Sequence, residues 1–270
     1  DRPDAILAMG GFGSVGPVLA ARFLRVPVVL HEANAVPGRA IRLLSRYAKY
    51  IAVTFEEAER FFPGKNTVLT GMPVIKKRNI QNPEEITGLK DNVFTVLVTG
   101  GSGGARELNR IASESISQVH GTGRQIQVIH FIGRNETEDI ASFYSSNEVA
   151  SFVRVFFADM DAAYKRADFA LTRAGASTCA ELSLYALPAL LVPFPFAVDN
   201  HQSANAKAVA KTGVADRIEE SELTIGKLTD YINFIIDNPE KLKTMKKTAE
   251  SIAVPDAVGQ LVDLLESVAI

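Results

Sequence analysis

At 270 residues, with 47% hydrophobic and 22% charged side chains, the chain can bury one large core or two ordinary ones and is not of disordered composition. Its net charge of −2 excludes a global electrostatic pull towards nucleic acid, and its single cysteine, Cys179, excludes an internal disulfide and fits a reducing compartment. No apolar run reaches about 18 residues, so no spanning helix is expected, and no secretory signal opens the chain.

Apolar, β-branched runs alternate with amphipathic stretches along most of the length, the pattern of a doubly wound α/β protein. The first strands are expected at Ala5–Met9, Pro27–His31, Tyr50–Thr54 and Thr67–Leu69, with helices at Gly16–Arg25, Arg39–Ala48 and Glu56–Phe61. The polar segment IKKRNIQNPEEITGLKDN lacks periodicity and reads as a linker over 75–92. Beyond it, strands are expected at Phe94–Thr99, Ile126–Phe131, Val153–Phe157, Phe169–Leu171, Pro188–Val192 and Val214–Arg217. The helices between and after them are expected at Ala105–Val119, Glu136–Tyr144, Met160–Arg166, Ser177–Tyr185, His201–Lys211, Glu222–Asp237, Pro239–Ser251 and Asp256–Val268. This divides the chain into a partial first domain (1–74), a second domain (93–254) and a C-terminal helix (255–270) expected to pack back on the first. The chain opens Asp-Arg-Pro-Asp, without methionine, and has few strands in its first half, so residues are expected to precede it.

Two turns in the second half have the chemistry of an anion site. Gly100-Gly101-Ser102-Gly103-Gly104 follows an apolar strand and opens a helix. Its glycines admit a phosphate close to the backbone, and Ser102 adds a hydroxyl. A plain strand-to-helix connection explains that turn equally well. It is neither a dinucleotide fingerprint, since Phe131 is followed by no acidic residue, nor a Walker sequence. Arg173–Thr178 is more specific: small residues meet a helix start, and Glu181 in the second turn can take the vicinal hydroxyls of a ribose. Taken alone, Glu181 is better read as balancing a helix dipole. The following Asp199-Asn200-His201-Gln202 tips the balance towards a ligand. There Asp199 or Asn200 is an N-cap, and Gln202 and Asn205 share a helix face from which both reach a sugar hydroxyl. His31-Glu32-Ala33-Asn34 ends a strand at the edge where open sheets place ligand groups. Arg39, Arg42, Arg46 and Lys49 form a basic stripe on one helix, and residues 17–55 carry six Arg and Lys against one Glu. Such a stripe is usually a solvated face, but it also suits an anionic membrane surface. No His, Cys or carboxylate spacing suggests a metal, and no cofactor is called for.

Gly10–Ser14, HEANAVPG, Gly71-Met72-Pro73-Val74, TGGSGGARELN, FFADMDAAYKRAD, RAGASTCAEL and PFPFAVDNHQSANA, in this order and spacing, run over nearly the whole chain. Together they resemble the UDP-N-acetylglucosamine–N-acetylmuramyl-(pentapeptide) pyrophosphoryl-undecaprenol N-acetylglucosamine transferase family of peptidoglycan synthesis. The resemblance implies the GT-B glycosyltransferase fold, two facing Rossmann-like domains with parallel sheets, here with the first N-terminally truncated. It implies inverting transfer of GlcNAc from UDP-GlcNAc to the C4 hydroxyl of an undecaprenyl-linked muramyl-pentapeptide, by a peripheral protein on the cytoplasmic face of the bacterial plasma membrane. By position, Ser102, Gly101, Gly103 and Gly104 are expected at the diphosphate and Phe157, through its backbone, at the uracil. Ala176, Ser177, Thr178, Cys179, Ala180 and Glu181 are expected to wrap diphosphate and ribose. His201 and Gln202 are expected at the GlcNAc, and Asn34 approaches the donor from the other domain.

Two departures stand out. The family's arginine after Gly-x-Pro-Val is replaced by Ile75, with Lys76 or Lys77 as substitutes that lack a guanidinium's fork. The family's first Gly-rich loop, which ends in a histidine, has no counterpart here, which leaves His31 and Glu32 as the available candidates for the catalytic base. The competing readings are a UDP-sugar-dependent diacylglycerol glycosyltransferase, a UDP-GlcNAc-binding module without turnover and, more distantly, a dinucleotide oxidoreductase.

Overall fold

A computed structural model describes residues 2–74, 84–101, 103–134, 136 and 139–269. Ser102, Ile75, Lys76, Lys77 and most of the expected linker lie outside the described residues.

The first 74 residues build a small parallel sheet, β1 (Ile6–Ala8), β2 (Val28–Glu32), β3 (Tyr50–Val53) and β4 (Thr67–Leu69), in the order β1-β2-β3-β4. Each crossover is right for a parallel pair: α1 (Val15–Leu24) joins β1 to β2, and α2 (Arg39–Leu44) joins β2 to β3. Val18 and Ala21 of α1 and Ile41 and Leu44 of α2 pack on Val28, Leu30, Ile51 and Val53 of the strands. The helix expected over Arg39–Ala48 is instead broken, becoming 3-10 at Ser45–Tyr47. The Ser45 hydroxyl donates to the Arg42 carbonyl (2.8 Å), competing with the helical ladder. The basic stripe is therefore not one helix face. Glu56–Phe61 is also 3-10 rather than α, since six residues scarcely repay an α nucleus.

The larger sheet comprises β5 (Phe94–Thr99), β6 (Ile126–Phe131), β7 (Ser151–Arg154), β8 (Phe169–Thr172), β9 (Ala189–Leu191) and β10 (Ala215–Arg217). All pairs are parallel and the order is β10-β9-β8-β5-β6-β7. Strand residues alternate between two cores. Val96, Val98, Phe169, Leu171 and Leu190 face α3 (Arg106–Gly121) and α8 (Ile225–Asp237). Leu97, Ala170, Ala189 and Leu191 face the layer of α5 (Met160–Arg166), α6 (Ala176–Leu184), α7 (His201–Thr212) and α9 (Pro239–Ile252). In α3 the buried Leu108, Ile111, Ala112, Ser115, Ile116 and Val119 recur at helical spacing, which is why this element is legible from the sequence. Two short elements differ from expectation. Strand β7 stops at Arg154 because its partner β6 ends at Phe131, and α4 (Ile140–Ser146) starts late, where the Asp139 carboxylate caps the Ser142 N–H at 3.0 Å. The last helix, α10, spans Ala257–Glu266.

Strand order reverses between β5 and β8, the next strand to join the sheet beside it. Such a switch point leaves a crevice at the strand C-termini where neither following helix covers the sheet. The turns after β5, β6, β8 and β9 all open there. Their close packing demands glycine: a Cβ on Gly133 (φ +81°) would lie 2.1 Å from the Gly104 Cα, so the turn after β5 and the turn after β6 touch backbone to backbone.

Candidate active site

The turn after β5 presents Gly101, Gly103 and Gly104 ahead of α3, whose N-terminus has no side-chain cap. Beneath it lies a polar network whose Asn109, His130 and Tyr144 are fully buried. The Asn109 amide group donates to the Ile132 carbonyl (2.9 Å) and to Glu136 (2.6 Å), so its oxygen must accept the Nε2–H of His130 (3.2 Å). The other ring nitrogen of His130 then accepts from the Tyr144 hydroxyl (3.0 Å). Burial pushes the His130 imidazole down to about 3, against the opposing charge of Glu136, so it is a neutral strut under the turn.

The turn after β8 is held from behind by Arg173. Its guanidinium pairs with Glu220, donates to the carbonyls of Val192 and Pro193 (3.2 and 3.3 Å) and lies over the Phe194 ring. This ties the β8 turn to the β9 turn. Gly175, extended, precedes α6, and no side chain caps its first N–H groups. Ala176, Thr178 and Glu181 are half-buried and Ser177 is exposed, so this end of α6 is open to a ligand. Cys179, expected with them, points into the core instead, and burial pushes its thiol up to about 12. Ala180 faces a different cleft, beside Phe55 and Leu69. The Phe157 ring also turns inward, stacked on Phe131 (5.2 Å) and edge-on to Phe152, which leaves only its backbone for a ligand.

After β9 the chain passes Asp199 (φ 48°) and Asn200 (φ 57°), both left-handed, into α7. Asn200 occupies the cap position, but its side chain makes no capping bond. The Gln202 oxygen accepts the Phe194 N–H (2.9 Å), leaving its amide nitrogen for a ligand. Asn205 does not share that task. It is 0% exposed: its oxygen accepts from Ala35 N–H (2.9 Å), and its nitrogen donates to Asn34 Oδ1 and to the Ala174 carbonyl (both 3.1 Å). Helical spacing put Gln202 and Asn205 on one face, yet the approach of the first half buries Asn205 as a tie between the halves.

The first-half residues are equally committed. Glu32 is 3% exposed; Oε1 accepts the Asn34 N–H (2.8 Å) and side-chain N–H (3.2 Å), and Oε2 accepts Gly38 N–H (2.9 Å). It shapes the loop 33–38 through these three bonds, at the border of the cleft between the halves. His31 is 0% exposed and donates through Nε2 to the Gly71 carbonyl (3.0 Å), while its buried Nδ1 has no partner among the described residues. Burial holds its pKa below the usual imidazole value, outweighing the raising effects of Gly71 and Glu32. Both candidate bases are engaged in hydrogen bonds within the first half, because β2 is an inner strand of the small sheet and is covered along its whole length. Between the halves lies a cleft of about 360 Å³ lined by Met9, Gly10, Gly11, Asn34, Arg39 and His201, among others. His201 donates its Nδ1–H to the Val36 carbonyl (3.0 Å), which leaves Nε2 as the ring nitrogen for a ligand. Arg39 pairs with Asp199 across the cleft (3.1 Å).

Arg42 stacks on Phe61 and donates to the Pro37 carbonyl, and Arg46 stacks on Tyr47; these and Lys49 remain exposed. Sequence reasoning missed Arg173, His130 and Asn109 as supports, since their partners lie between 14 and 47 residues away with no local signal. Among the described residues no three His, Cys, Asp or Glu side chains converge as a metal site, and no helix is long and apolar enough to cross a membrane.

Two family models match. The glycosyltransferase family 28 N-terminal domain covers residues 1–53, and the family 28 C-terminal domain covers residues 95–261. A UDP-N-acetylglucosamine–N-acetylmuramyl-(pentapeptide) pyrophosphoryl-undecaprenol N-acetylglucosamine transferase from Desulforamulus reducens is 36% identical over 276 residues, 98% of this chain and 74% of that protein. The protein of the same name from Geobacter metallireducens is 36% identical over 97% of this chain and 72% of its own. The crystal structure of Acinetobacter baumannii MurG superposes with a TM-score of 0.80 at 32% identity, over 98% of this chain and 74% of that one. A UDP-GlcNAc 2-epimerase from Neisseria meningitidis, at 12% identity and a TM-score of 0.69, shares the fold alone. With both halves matched in order and two such relatives matching nearly the whole of this chain over about three quarters of their own length, the chain belongs to the UDP-N-acetylglucosamine–N-acetylmuramyl-(pentapeptide) pyrophosphoryl-undecaprenol N-acetylglucosamine transferase family.

Proposed function

We propose that the chain transfers GlcNAc from UDP-GlcNAc to the C4 hydroxyl of an undecaprenyl-pyrophosphoryl muramyl-pentapeptide, with inversion at the anomeric carbon. The observation that carries this is the crevice at the β5/β8 switch point. Two uncapped helix N-termini, of α3 and α6, meet there across from the Asn34 loop of the other half. Partial positive charge at both helix ends stabilises the diphosphate in the bound donor and, more strongly, in the leaving UDP. The Phe157 backbone meets the uracil, Glu181 takes the ribose hydroxyls, and His201 Nε2 and the Gln202 amide meet the GlcNAc. The acceptor enters the cleft beside Gly10 and Gly11. Neither His31 nor Glu32 takes its proton.

The first half faces an anionic membrane on its cytoplasmic side. Phe23, 87% exposed, projects with Leu19 and Leu24 from α1 beside Arg22 and Arg25, an apolar patch rimmed by cations. The test is calorimetric titration with UDP-GlcNAc alongside transfer of labelled GlcNAc to the muramyl-pentapeptide lipid and to diacylglycerol in anionic vesicles. A β-linked muramyl product supports the proposal. Transfer to diacylglycerol refutes it, and donor binding without any transfer reduces the function to a UDP-GlcNAc-binding module.

A further inference from the structure

The α5–α6 layer contains a pair of tyrosine–carboxylate contacts that run in opposite directions. The Tyr164 hydroxyl on α5 donates to Glu181 Oε2 on α6 at 2.7 Å. The Tyr185 hydroxyl, at the C-terminal end of α6, donates back to Asp161 Oδ1 on α5 at 2.7 Å. The two rings stack on each other, with centroids 5.0 Å apart and planes 23° from parallel. Tyr164 is only 4% exposed, and burial, with the Glu181 charge next to it, holds its pKa well above that of a free phenol. The proton therefore stays on the tyrosine, so the direction of donation is settled: Tyr164 donates and the carboxylate accepts.

Helix α5 starts three residues after Phe157, where the Asp159 carboxylate caps the Ala162 N–H at 3.1 Å. Tyr164 thus hangs from the segment that meets the base of the nucleotide and reaches the side chain that meets its sugar. A glutamate on a helix has three side-chain torsions to fix before it can accept two vicinal hydroxyls, and a buried donor 2.7 Å from one oxygen fixes the carboxylate in advance.

We propose that Tyr164 is the positioning residue for ribose recognition: it anchors Glu181 so that the carboxylate meets the 2′- and 3′-hydroxyls of the uridine nucleotide without reordering. This rests on the assignment of Glu181 to the ribose. Tyr164 touches no substrate atom, so its effect falls on discrimination between ribose and deoxyribose, not on the transfer step.

The experiment measures the dissociation constants of UDP and 2′-deoxy-UDP by calorimetry for the wild-type chain and for Tyr164→Phe, Glu181→Ala, the double variant and Tyr185→Phe. Melting temperatures are taken in parallel. Wild type is expected to prefer UDP by roughly tenfold or more, and Glu181→Ala to bring the ratio close to one. Tyr164→Phe, which removes one oxygen, is expected to cut the ratio by about threefold to tenfold and to raise KM for UDP-GlcNAc at unchanged kcat. In the Glu181→Ala background the same change should do nothing further, the coupling expected of residues acting through one contact. Tyr185→Phe removes the bond to Asp161 and leaves the hydrogen bond from Tyr164 to the Glu181 carboxylate in place, so it should keep the wild-type ratio. If Glu181→Ala keeps the preference for UDP, the ribose assignment itself fails. If Glu181→Ala loses it while Tyr164→Phe keeps it, only the positioning role fails. A Tyr164→Phe protein that no longer reaches the native fold, or a Tyr185→Phe protein that loses the ratio equally, makes the tyrosine pair purely structural and overturns the proposal.

Discussion

Replacing Asn205 by alanine separates two accounts of the start of α7. The amide is buried and makes three bonds, to Ala35 N–H, Asn34 Oδ1 and the Ala174 carbonyl. Alanine leaves a backbone donor, a backbone acceptor and a side-chain oxygen facing a void. Each buried polar group left unmade costs about 1–3 kcal/mol, but water admitted between the halves recovers part of that. The net loss is therefore about 2–4 kcal/mol, below the simple sum. For a chain of this size it corresponds to a fall in melting temperature of roughly 5–12 °C. Thermal unfolding followed by circular dichroism measures this directly. It should be run beside UDP-GlcNAc titration, because the two halves can melt separately and a single midpoint would then mislead. Two transitions, with the smaller half melting first, are the expected form. Had Asn205 faced a sugar hydroxyl, the variant would keep its melting temperature within about a degree and lose donor affinity alone. That result would refute the tie.

Other perturbations follow the same reasoning. His130 is neutral in the fold and ionises near its ordinary pKa when unfolded, so the unfolded state binds the extra proton. Stability is then greatest above pH 6.5 and is lost as pH falls towards the folded value of about 3. His31 shifts in the same direction and adds to the slope. Urea denaturation should lose about 1–2 kcal/mol between pH 6.5 and 5, and a flat profile would count against neutral buried imidazoles. Glu32→Gln puts an NH₂ group against one of the N–H donors of the loop 33–38, so it should lower the melting temperature and raise KM for both substrates without abolishing kcat. Loss of kcat alone, with the fold intact, would restore Glu32 as a base. Phe23→Ser with Leu24→Ser should weaken co-sedimentation with phosphatidylglycerol vesicles by at least about tenfold, given roughly 1.5–3 kcal/mol per large apolar side chain withdrawn from water. Unchanged sedimentation would place the membrane contact elsewhere.

What the sequence makes legible follows from the range of the forces involved. The strands and most helices can be read because their cause is local: β-branched apolar runs for β5, β6 and β8, and the Leu108–Val119 spacing for α3. Helix ends are less legible where one side chain decides them, as Ser45 and Asp139 do. The Gly-rich turn after β5 is legible as a turn but not by its use, since its glycines serve the close backbone packing against Gly133 as well as they would admit a phosphate. What escapes is whatever a partner distant in sequence determines. Asn205 reads as a ligand residue because nothing near it announces that Ala35, 170 residues away, will close over it. Glu32 and His31 read as bases because a strand end is usually open, and only the loop 33–38 and the Gly71 carbonyl show that theirs is not.

The misread residues share a physical logic that bears on how the two halves act together. Glu32 fixes Asn34, Asn34 bonds Asn205, and Asn205 bonds the carbonyl of Ala174, next to the extended Gly175 from which α6 starts. One unbroken series of hydrogen bonds thus runs from an inner strand of the small sheet to the N-terminus of α6, where the donor diphosphate is proposed to bind. His201 adds a second crossing through the Val36 carbonyl, and Arg39 a third through Asp199. The third is mostly exposed and worth little by itself, whereas the first ends on the buried Glu32 and Asn205 and is costly to leave half-made. The position of the turn before α6 is therefore tied to the first half, and a change confined to Glu32 should be felt as weaker UDP-GlcNAc binding if the proposed diphosphate site is right.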